Sequence, residues 1–474
     1  MVVGDMEMHT DLLVIGGGPG GYGAAFRAAD LGMDVILVDP RESLGGLCLH
    51  AGCIPAKILL AAAELIQDAE RAEKMGIGFG PPRLDLNAIK AWQQQRLDTM
   101  ARHLMTLAQK RGVLVIHGRA RFAGSSSARL AGAEISAVRF KHAVIATGSR
   151  PRLLPGLEPA PGSRIMDTET ALTLGEIPPT LLVAGYGYIG LELASIYAAL
   201  GSRVTLLEQA ERLLPGVDAD LVAPLQESLT QRFAEIVLCA QITDAEEASD
   251  RVALRFTRGG ATEERRADRA LLALGRIPNS GELGLEQTGV TLDSRGFIET
   301  DATKRTRDPK IFAVGDVAGG PMLAHKAIRE GRVAAETIGG KTSGFDVLAL
   351  PAVVYTNPQL AWCGVSENKA RREGIPHAVK KFPWRYSDRA QTLGETGGLT
   401  KLVIDPDSGR ILGAGIVGRQ AEALIGEATL AIEMGALAED LALTLHPYPS
   451  LSETEAEAAE IFLASPTHIL PESQ

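Results

Sequence analysis

Two cysteines, Cys48 and Cys53, stand five positions apart between glycines near the start of the chain. A regular helix rises about 1.5 Å per residue, so their Cα atoms would lie roughly 7.5 Å apart along its axis. That separation exceeds the usual limit for a disulfide, about 7 Å. If the two sulfurs pair, the chain between them must leave regular helix, and Gly45, Gly46 and Gly52 allow that departure.

The residues after Cys53 predict a helix that begins beside its sulfur. Pro55 suits the first turn of a helix, and a thiol at a helix N-terminus has a lowered pKa that favours the reactive thiolate. Two buried cysteines without chemistry are the plain alternative. A zinc site through Cys48, His50 and Cys53 has only three ligands and no second cluster, so it is the weakest reading.

The elements that must position this pair begin with a nucleotide-binding pattern at Leu12 to Asp39. An apolar run enters a glycine-rich turn, and a helical pattern and a second apolar run follow. Gly16, Gly18 and Gly21 would let a pyrophosphate approach the backbone at the helix N-terminus, and Asp39 would bind the ribose hydroxyls.

The same unit recurs from Leu181 to Glu208, with Gly185, Gly187 and Gly190 in its turn. In both units the last glycine precedes the acid by 18 positions. Each unit is later followed by an apolar strand that ends in a glycine turn. These turns add Thr147 and Gly148 to the first site and Gly275 to the second. The pattern predicts an α/β fold with two Rossmann-like dinucleotide-binding domains.

Three further stretches have a predictable local structure. The proline-rich residues 151–179 indicate a boundary loop with local turns between the two units. Towards the C-terminus, apolar patterns predict a strand at residues 399–404 and a helix at residues 421–434.

Composition limits the partners and the compartment. The chain has 474 residues, a formal net charge of −10 and no long basic run, which argues against nucleic acid. The N-terminus lacks the basic residues of a signal peptide, and the uncharged run at residues 12–26 is too short and glycine-rich to span a bilayer. Four cysteines do not make a disulfide framework, so we expect a cytoplasmic protein without membrane insertion, whose close cysteine pair is catalytic.

The segment from Gly45 to Lys57 closely resembles the redox-active disulfide motif of the class I pyridine nucleotide-disulfide oxidoreductases, GGxCLNxGCIPSK. It departs at His50 and Ala56, and neither departure touches a sulfur. The resemblance covers nearly the whole chain. It includes the run at residues 355–358, which is similar to the start of the family's C-terminal α+β dimerisation domain.

The resemblance implies an arrangement of domains and cofactors. FAD would bind residues 1–150 and again residues 275–345, NAD would bind residues 151–274, and residues 346–474 would form the interface of a homodimer. The isoalloxazine would lie on Cys53. In the second flavin segment the resemblance implicates Asp316, Ala324 and His325. Without it, Asp316 could equally be the N-cap of a helix.

A buried cation and its counterion complete the implied flavin site. Lys57 resembles the family's lysine near flavin N5, and Glu192 resembles its carboxylate partner. A cation stabilises negative charge that develops on reduced flavin, and a buried cation needs a counterion. The alternative for Glu192 is an ordinary exposed helix glutamate. Glu208 suits the free 2′-hydroxyl of NAD and would repel a 2′-phosphate.

The base that activates a thiol substrate is where the chain departs from the family's His-Pro-Thr-Xaa-Ser-Glu segment. The ungapped alignment puts Tyr448 at the histidine position and Glu453 at the orienting carboxylate, with His446 two residues earlier. Tyrosine, with a pKa of about 10, is a poor base at pH 7, whereas histidine titrates near about 6.5. Ser450 and Glu453 also have the spacing of a capping box.

Within the family, the chain is most similar to the dihydrolipoamide dehydrogenases. Electrons would pass from a dithiol, such as a dihydrolipoyl group on a carrier protein, through Cys48 and Cys53 to FAD and then to NAD⁺. The first cysteine would exchange with substrate and the second would contact flavin. The alternatives are a reductase of another disulfide, persulfide or quinone, and a catalytically weak FAD protein with a sensing or structural role.

Overall fold

The computed structural model describes residues 7–155, 162–185 and 187–470. This part of the chain forms two sheets that contain parallel strands, an antiparallel sheet near the C-terminus, and two small antiparallel sheets. The architecture confirms the predicted α/β class with an additional α+β region.

The first sheet is built around the apolar run that precedes the first glycine turn. Residues Leu12 to Ile15 are buried, and their strand pairs in parallel with two others, which bury both of its edges. The elements of this region are β1 (Glu7–Ile15), α1 (Pro19–Asp30), β2 (Val35–Asp39), α2 (Gly46–Ala51), α3 (Cys53–Ala72), α4 (Leu86–Lys110), β3 (Leu114–His117), β4 (Arg119–Gly124), β5 (Ser127–Ala131) and β6 (Ala137–Ile145).

The second sheet repeats this plan, in the strand order β11-β10-β9-β15-β8. Its region contains β7 (Ser149–Pro151), β8 (Ile165–Asp167), β9 (Thr180–Gly185), α5 (Tyr188–Ala199), β10 (Arg203–Leu207), α6 (Ala219–Arg232), β11 (Glu235–Val237), β12 (Gln241–Glu247), β13 (Val252–Arg258), β14 (Ala261–Ala267), β15 (Arg269–Ala273) and β16 (Arg276–Pro278). The sequence suggested only a loop with local turns between residues 151 and 179, but β8 lies there and extends the sheet beside β15. Three residues are too few to show a strand periodicity.

The chain then returns to the first sheet. Strand β17 (Ile311–Ala313) pairs with β6, and α7 (Ala324–Ile338) packs against α1 so closely that a Cβ on Gly331 would lie 2.3 Å from the carbonyl oxygen of Gly20. These changes of sheet fall near the domain boundaries predicted after residues 150, 274 and 345, which stay predictions.

The C-terminal region is an antiparallel sheet of order β18-β19-β22-β21-β20 with helices packed on it. Its elements are β18 (Ala352–Val354), β19 (Gln359–Gly364), α8 (Glu367–Glu373), β20 (Ala378–Pro383), α9 (Asp388–Leu393), β21 (Leu399–Ile404), β22 (Ile411–Gly418), α10 (Ala421–Met434), α11 (Ala438–Leu443) and α12 (Glu453–Phe462). Single turns of 3₁₀ helix lie at Glu73–Met75, Thr170–Thr173, Leu285–Gln287, Gly315–Ala318 and Trp384–Tyr386.

A buried lysine joins this region to the second sheet. The Lys401 side chain is 1% exposed, and its Nζ lies 2.9 Å from Asp218, 3.0 Å from Asp220 and 2.5 Å from Glu367. The three carboxylates are close enough together to hold a metal ion, but the lysine ammonium already supplies their positive charge. The cluster therefore links the start of α6 to α8 and β21.

One helical run, Gly46–Met75, is long and apolar enough by length and composition to cross a membrane. Within the fold, Leu59 and Ala63 of this run are buried, and Leu59 belongs to the same hydrophobic core as Leu191 of α5. One face of the run therefore packs in the core of the folded protein, and the run also carries both cysteines.

Candidate active site

The two cysteines lie on either side of a helix break. Helix α2 ends at Ala51, Gly52 adopts φ −147° and ψ −112°, and α3 begins at Cys53. This is the departure from regular helix that a contact between the sulfurs requires. A Cβ on Gly52 would lie 3.1 Å from the carbonyl oxygen of Leu47, so the break favours glycine.

The two thiols, both free, form a hydrogen bond that polarises the pair. The bond from Cys48 lowers the pKa of Cys53, and the positive charge of Lys57 adds to this effect against the cost of burial. The same bond, together with burial, raises the pKa of Cys48. In the reduced pair the proton is therefore held preferentially by Cys48, and the negative charge is favoured on Cys53.

Lys57 and Glu192 form an ion pair beside the sulfurs. Lys57 Nζ donates to Glu192 Oε2 at 2.8 Å, and the glutamate side chain is only 4% exposed. The backbone N–H of Tyr355 donates to the other carboxylate oxygen at 3.0 Å, while Lys57 Nζ lies 4.2 Å from the centre of the Tyr355 ring. Residues from α3, α5 and the end of β18 thus meet at one buried carboxylate.

A cavity of about 890 Å³ runs from the first glycine turn to this ion pair. Its volume is in the range of sites for large organic ligands. The predicted site residues that line it are Gly16, Gly18, Asp39, Cys48, Cys53, Lys57, Thr147, Gly148, Glu192, Asp316 and Ala324. His325 is not among them, because its Nε2 contacts the carbonyl oxygen of Pro351 at 2.8 Å.

Two positions of the first glycine turn, Gly16 and Gly21, have no room for a side chain. Gly16 has φ +106°, and a Cβ on it would lie 2.3 Å from the carbonyl oxygen of Ala146. A Cβ on Gly21 would lie 1.7 Å from the carbonyl oxygen of Gly16. Asp39 accepts a hydrogen bond from the Gly17 N–H at 2.5 Å, so the acid at the end of β2 also fixes the turn.

Asp316 ends a polar chain that sequence reasoning did not find. Arg276 Nε donates to Ser149 Oγ at 2.7 Å, and Ser149 Oγ donates to Asp316 Oδ2 at 2.5 Å. All three residues line the cavity, as does Tyr188 at the start of α5. Arg276 directly follows Gly275, so the glycine turn after β15 was the available signal. Ser149 directly follows Gly148 and Tyr188 directly follows Gly187, so the predicted glycine turns were the available signal for these residues as well.

The second nucleotide unit has the same local design, and its predicted glycines and Glu208 do not line the cavity. Gly187 precedes α5 with φ +145°, and a Cβ on Gly190 would lie 2.7 Å from the Gly185 Cα. Glu208 follows β10, is buried, and accepts a hydrogen bond from the Ala210 N–H at 2.9 Å. Burial raises the pKa of its carboxyl. Gly275 adopts φ +100° at the end of the neighbouring strand.

Within the described part of the chain, no hydrogen bond joins His446, Tyr448 and Glu453, the residues predicted to supply and orient the base. His446 Nε2 contacts Glu427 at 2.8 Å, and its Nδ1 contacts the Thr444 carbonyl oxygen at 3.0 Å. The hydroxyl of Tyr448, an exposed residue, donates to Asp388 Oδ2 at 2.5 Å.

Glu453 contacts neither of the two candidates for the base. Its Oε2 accepts from the Ser450 N–H at 2.6 Å, while its own N–H donates to Ser450 Oγ at 3.4 Å. The capping box that the spacing suggested is therefore formed at the start of α12.

Two dinucleotide-binding sheets, a cysteine pair beside a buried ion pair, and a third antiparallel region define a flavin-dependent disulfide oxidoreductase. The chain belongs to the pyridine nucleotide-disulphide oxidoreductase family, whose model matches residues 10–331. The model of that family's dimerisation domain matches residues 350–459. Enzymes of this family use FAD and NAD(H), and so does this chain.

Similar proteins match over nearly the whole length. Dihydrolipoyl dehydrogenase of Geobacillus stearothermophilus is 43% identical over 99% of this chain and 100% of its own, and that of Vibrio parahaemolyticus is 41% identical over 98% of each. Among solved structures, LpdA of Mycobacterium tuberculosis gives a TM-score of 0.87 at 29% identity, covering 95% of this chain and 99% of its own. The HOCl-induced flavoprotein disulfide reductase RclA of Escherichia coli gives 0.83 at 25% identity with the same coverage.

Proposed function

We propose that the chain oxidises dihydrolipoyl groups with NAD⁺, through the Cys48–Cys53 pair and FAD. The observation that carries the proposal is the hydrogen-bonded sulfur pair at one end of a cavity whose other end is the first dinucleotide-binding turn. The names of the relatives support a dihydrolipoyl substrate. They favour it over the disulfide, persulfide and quinone alternatives.

The residues along the cavity fit FAD. The N-terminus of α1 with Gly16 and Gly18 suits a pyrophosphate, Asp39 suits a ribose, and Asp316 suits hydroxyls of the ribityl chain. When bound, FAD accepts an electron pair from the sulfurs and gives it to NAD⁺. Lys57 would stabilise negative charge beside Cys53, and Glu192 would hold that lysine in place.

The sulfur chemistry assigns different roles to the two cysteines. A substrate thiolate attacks Cys48 Sγ of the oxidised pair, which forms a mixed disulfide and releases the Cys53 thiolate. The second substrate thiol, once deprotonated, displaces Cys48 and leaves the substrate as a disulfide. The low pKa of Cys53 makes it the better leaving group. The bound NAD⁺ would lie on the second unit, with its ribose on Glu208.

We also propose that the active enzyme is a homodimer in a reducing cytosol, acting on lipoyl groups carried by another protein. The single chain exposes apolar side chains on and beside α10 and α11, where a second copy would cover them. The exposed side chains are those of Leu430, Met434, Leu443 and Leu445. All four cysteines are free thiols, which fits a reducing compartment.

Anaerobic mixing of the oxidised holoenzyme with dihydrolipoamide tests the proposal. We expect the dithiol to reduce the flavin and NAD⁺ to reoxidise it. Cys48→Ser and Cys53→Ser should abolish reduction by dithiol, whereas Cys239→Ser, at an exposed cysteine that does not line the cavity, should leave it intact. A flavin that NADH reduces but dihydrolipoamide does not would rule out the proposed substrate.

A further inference from the structure

The two residues that the sequence offers as base are poorly suited to accept a proton. His446 has both ring nitrogens in contact with oxygen acceptors, and its side chain is only 6% exposed. Tyr448 is accessible, but its hydroxyl donates to Asp388, and that bond raises its already high pKa further. A dithiol still has to lose protons, so another group must accept them.

A histidine oriented by a carboxylate lies in the segment after α12. His468 Nδ1 bonds to Glu457 Oε1, and the backbone N–H of His468 donates to Glu457 Oε2 at 3.4 Å. The glutamate side chain is 8% exposed and the histidine side chain is 36% exposed. Among residues 7–155, 162–185 and 187–470, His468 Nε2 has no hydrogen-bond partner. A carboxylate on Nδ1 with Nε2 open to solvent is the arrangement of a general base.

The dyad and the segment of Tyr448 are joined through α12, where Glu457 follows Glu453 by one helical turn and so lies on the same helix face. Asp388, which accepts the Tyr448 hydroxyl bond, also acts on the charge of His468. Glu453 acts electrostatically on both rings. Two acidic residues on two different helices, α9 and α12, are therefore near neighbours of both side chains. Tyr448 and His468 flank one acidic patch on the surface of the C-terminal region.

We propose that His468, oriented by Glu457, is the general base that activates the dithiol, with Tyr448 as a hydrogen-bond donor beside it. The inference rests on the proposed function and names a catalytic residue for it. Tyr448 and Glu457 lie within residues 350–459, which match the dimerisation domain, and His468 follows that match by nine residues. The patch would therefore serve the cysteine pair of a second copy of the chain.

The proton balance is as follows for one turnover. His468 Nε2 takes the proton of the first substrate thiol, and the thiolate forms a bond to Cys48 Sγ as the Cys48–Cys53 bond breaks. His468 then gives that proton to solvent and takes one from the second thiol. The second thiolate closes the substrate disulfide and releases Cys48 as a thiolate. Bound FAD would take up the electron pair from the two cysteines for transfer to NAD⁺, so that one of the two substrate protons would be released overall.

Four groups determine the pH dependence. Glu457, Asp388 and Glu453 stabilise the imidazolium and raise the pKa of His468 above its ordinary value near 6.5, against partial burial, while the Tyr448 hydroxyl is uncharged at neutral pH. The neutral, base-competent form is therefore lost as pH falls through this raised pKa. Of these groups, Glu457 raises the pKa of His468 most. Glu457→Gln should therefore lower that pKa and move the acidic limb of the rate profile to lower pH.

The test follows flavin reduction of the holoenzyme by dihydrolipoamide in anaerobic stopped flow across pH. We expect His468→Gln to lower the rate constant by about 100-fold and to remove the acidic limb, whereas flavin reduction by NADH is unchanged. His377→Gln is the matched control, because His377 is a partly buried histidine of the same region whose Nδ1 contacts the Ile375 carbonyl oxygen. Imidazole in the buffer should partly restore His468→Ala.

An unchanged rate and pH profile in His468→Gln would overturn the assignment, as would a loss that appears equally in reduction by NADH. If the acidic limb is lost in Tyr448→Phe and kept in His468→Gln, Tyr448 is the base and the assignment to His468 is overturned. Failure of the proposed function is a separate result, because the unmodified enzyme would then not be reduced by dihydrolipoamide at all.

Discussion

At Glu208 a single carboxylate decides what the second nucleotide unit accepts. Its side chain is buried after β10, and one of its oxygens accepts a hydrogen bond from a backbone N–H, which holds the carboxylate in place. A fixed negative charge accepts hydrogen bonds from two ribose hydroxyls and repels a phosphate at the same position. Coenzyme choice is therefore expected to depend on this side chain more than on any exposed neighbour.

We predict that Glu208→Ala lowers kcat/KM for NAD⁺ by about 10- to 100-fold, since a hydrogen bond to a charged group contributes about 1.5–3 kcal/mol. The value for NADP⁺ should change little, so the preference for NAD⁺ narrows. Steady-state kinetics with both coenzymes measures this. Glu211→Ala, at an exposed acid nearby, should keep the preference, and an unchanged ratio in Glu208→Ala would contradict the prediction.

Residue types and spacing were enough to predict most of the side chains that line the cavity. They located the sulfurs, Lys57 with Glu192, and the acid at the end of each unit, because these lie within short motifs. They did not locate Ser149 or Glu457 with His468, whose partners are set by tertiary contacts. The roles of Tyr448, His446 and Glu453 stay predictions, since each of the three hydrogen-bonds to other residues in the described structure.

The turn between β1 and α1 shows how an element positions a ligand. Its backbone passes so close to itself at Gly16 and Gly21 that neither position has room for a methyl group. The turn thereby points the N-terminus of α1 into the cavity. The required shape is local, which explains why the sequence predicted it with little information from the rest of the chain.

We predict that Gly21→Ala sharply reduces FAD binding, because its Cβ would lie 1.7 Å from a backbone oxygen that cannot move alone. The flavin-to-protein absorbance ratio of the purified protein measures the loss. Gly78→Ala, where a Cβ meets nothing within 4 Å, is the matched control and should retain flavin. Full flavin content in Gly21→Ala would show that the turn tolerates displacement.

Helices and strands were predictable where the element is long enough for its apolar residues to show a period. The helix predicted at residues 421–434 is α10 with the same bounds, and the strand at residues 399–404 is β21. Strand β8 and the antiparallel β12–β14 sheet were not predicted. The first is too short for a period, and the second is polar on its exposed face, so both depend on neighbours that the sequence does not identify.

At the scale of the whole molecule, the ion pairs of Lys401 link the C-terminal region to the region of the second sheet. Burial lowers the pKa of this lysine, but its bonds to Glu367, Asp218 and Asp220 outweigh burial and raise it. The stabilisation from a raised lysine pKa is present below the unfolded value near about 10.4 and is lost as pH rises through the folded value. The pKa of Asp220 is lowered, so this carboxylate stabilises the folded protein at neutral pH. That stabilisation is lost as the pH falls through the lowered pKa.

We predict that Lys401→Met destabilises the protein by about 3–5 kcal/mol, because the buried carboxylate of Asp218 loses its cation, whereas Asp220 keeps Lys381 and Glu367 keeps Arg371. Urea unfolding of the holoenzyme measures the change. Lys369→Met is the control, at an exposed lysine of α8 outside this cluster. A decrease below about 1 kcal/mol would mean that water or rearrangement replaces the lysine.

The exposed apolar side chains of α10 give a prediction about assembly. We expect Leu430→Glu, at a side chain that is 63% exposed in the single chain, to yield monomers that bind FAD and are reduced by NADH but not by dihydrolipoamide. Light scattering with the two half-reactions measures this. Met75→Glu, at an exposed residue in the first region, should remain dimeric. A monomer with full dithiol activity would show that one chain suffices.

The contact between Lys57 and Glu192 has a consequence for the time course of synthesis. The two residues are 135 positions apart in sequence. A ribosome adds about 5–20 residues per second, so the lysine and both sulfurs are made roughly 7–27 s before their counterion. Through that interval the nascent chain carries its reactive thiols without the neighbour that later completes their surroundings. Protection of those thiols during translation therefore has to come from outside the chain.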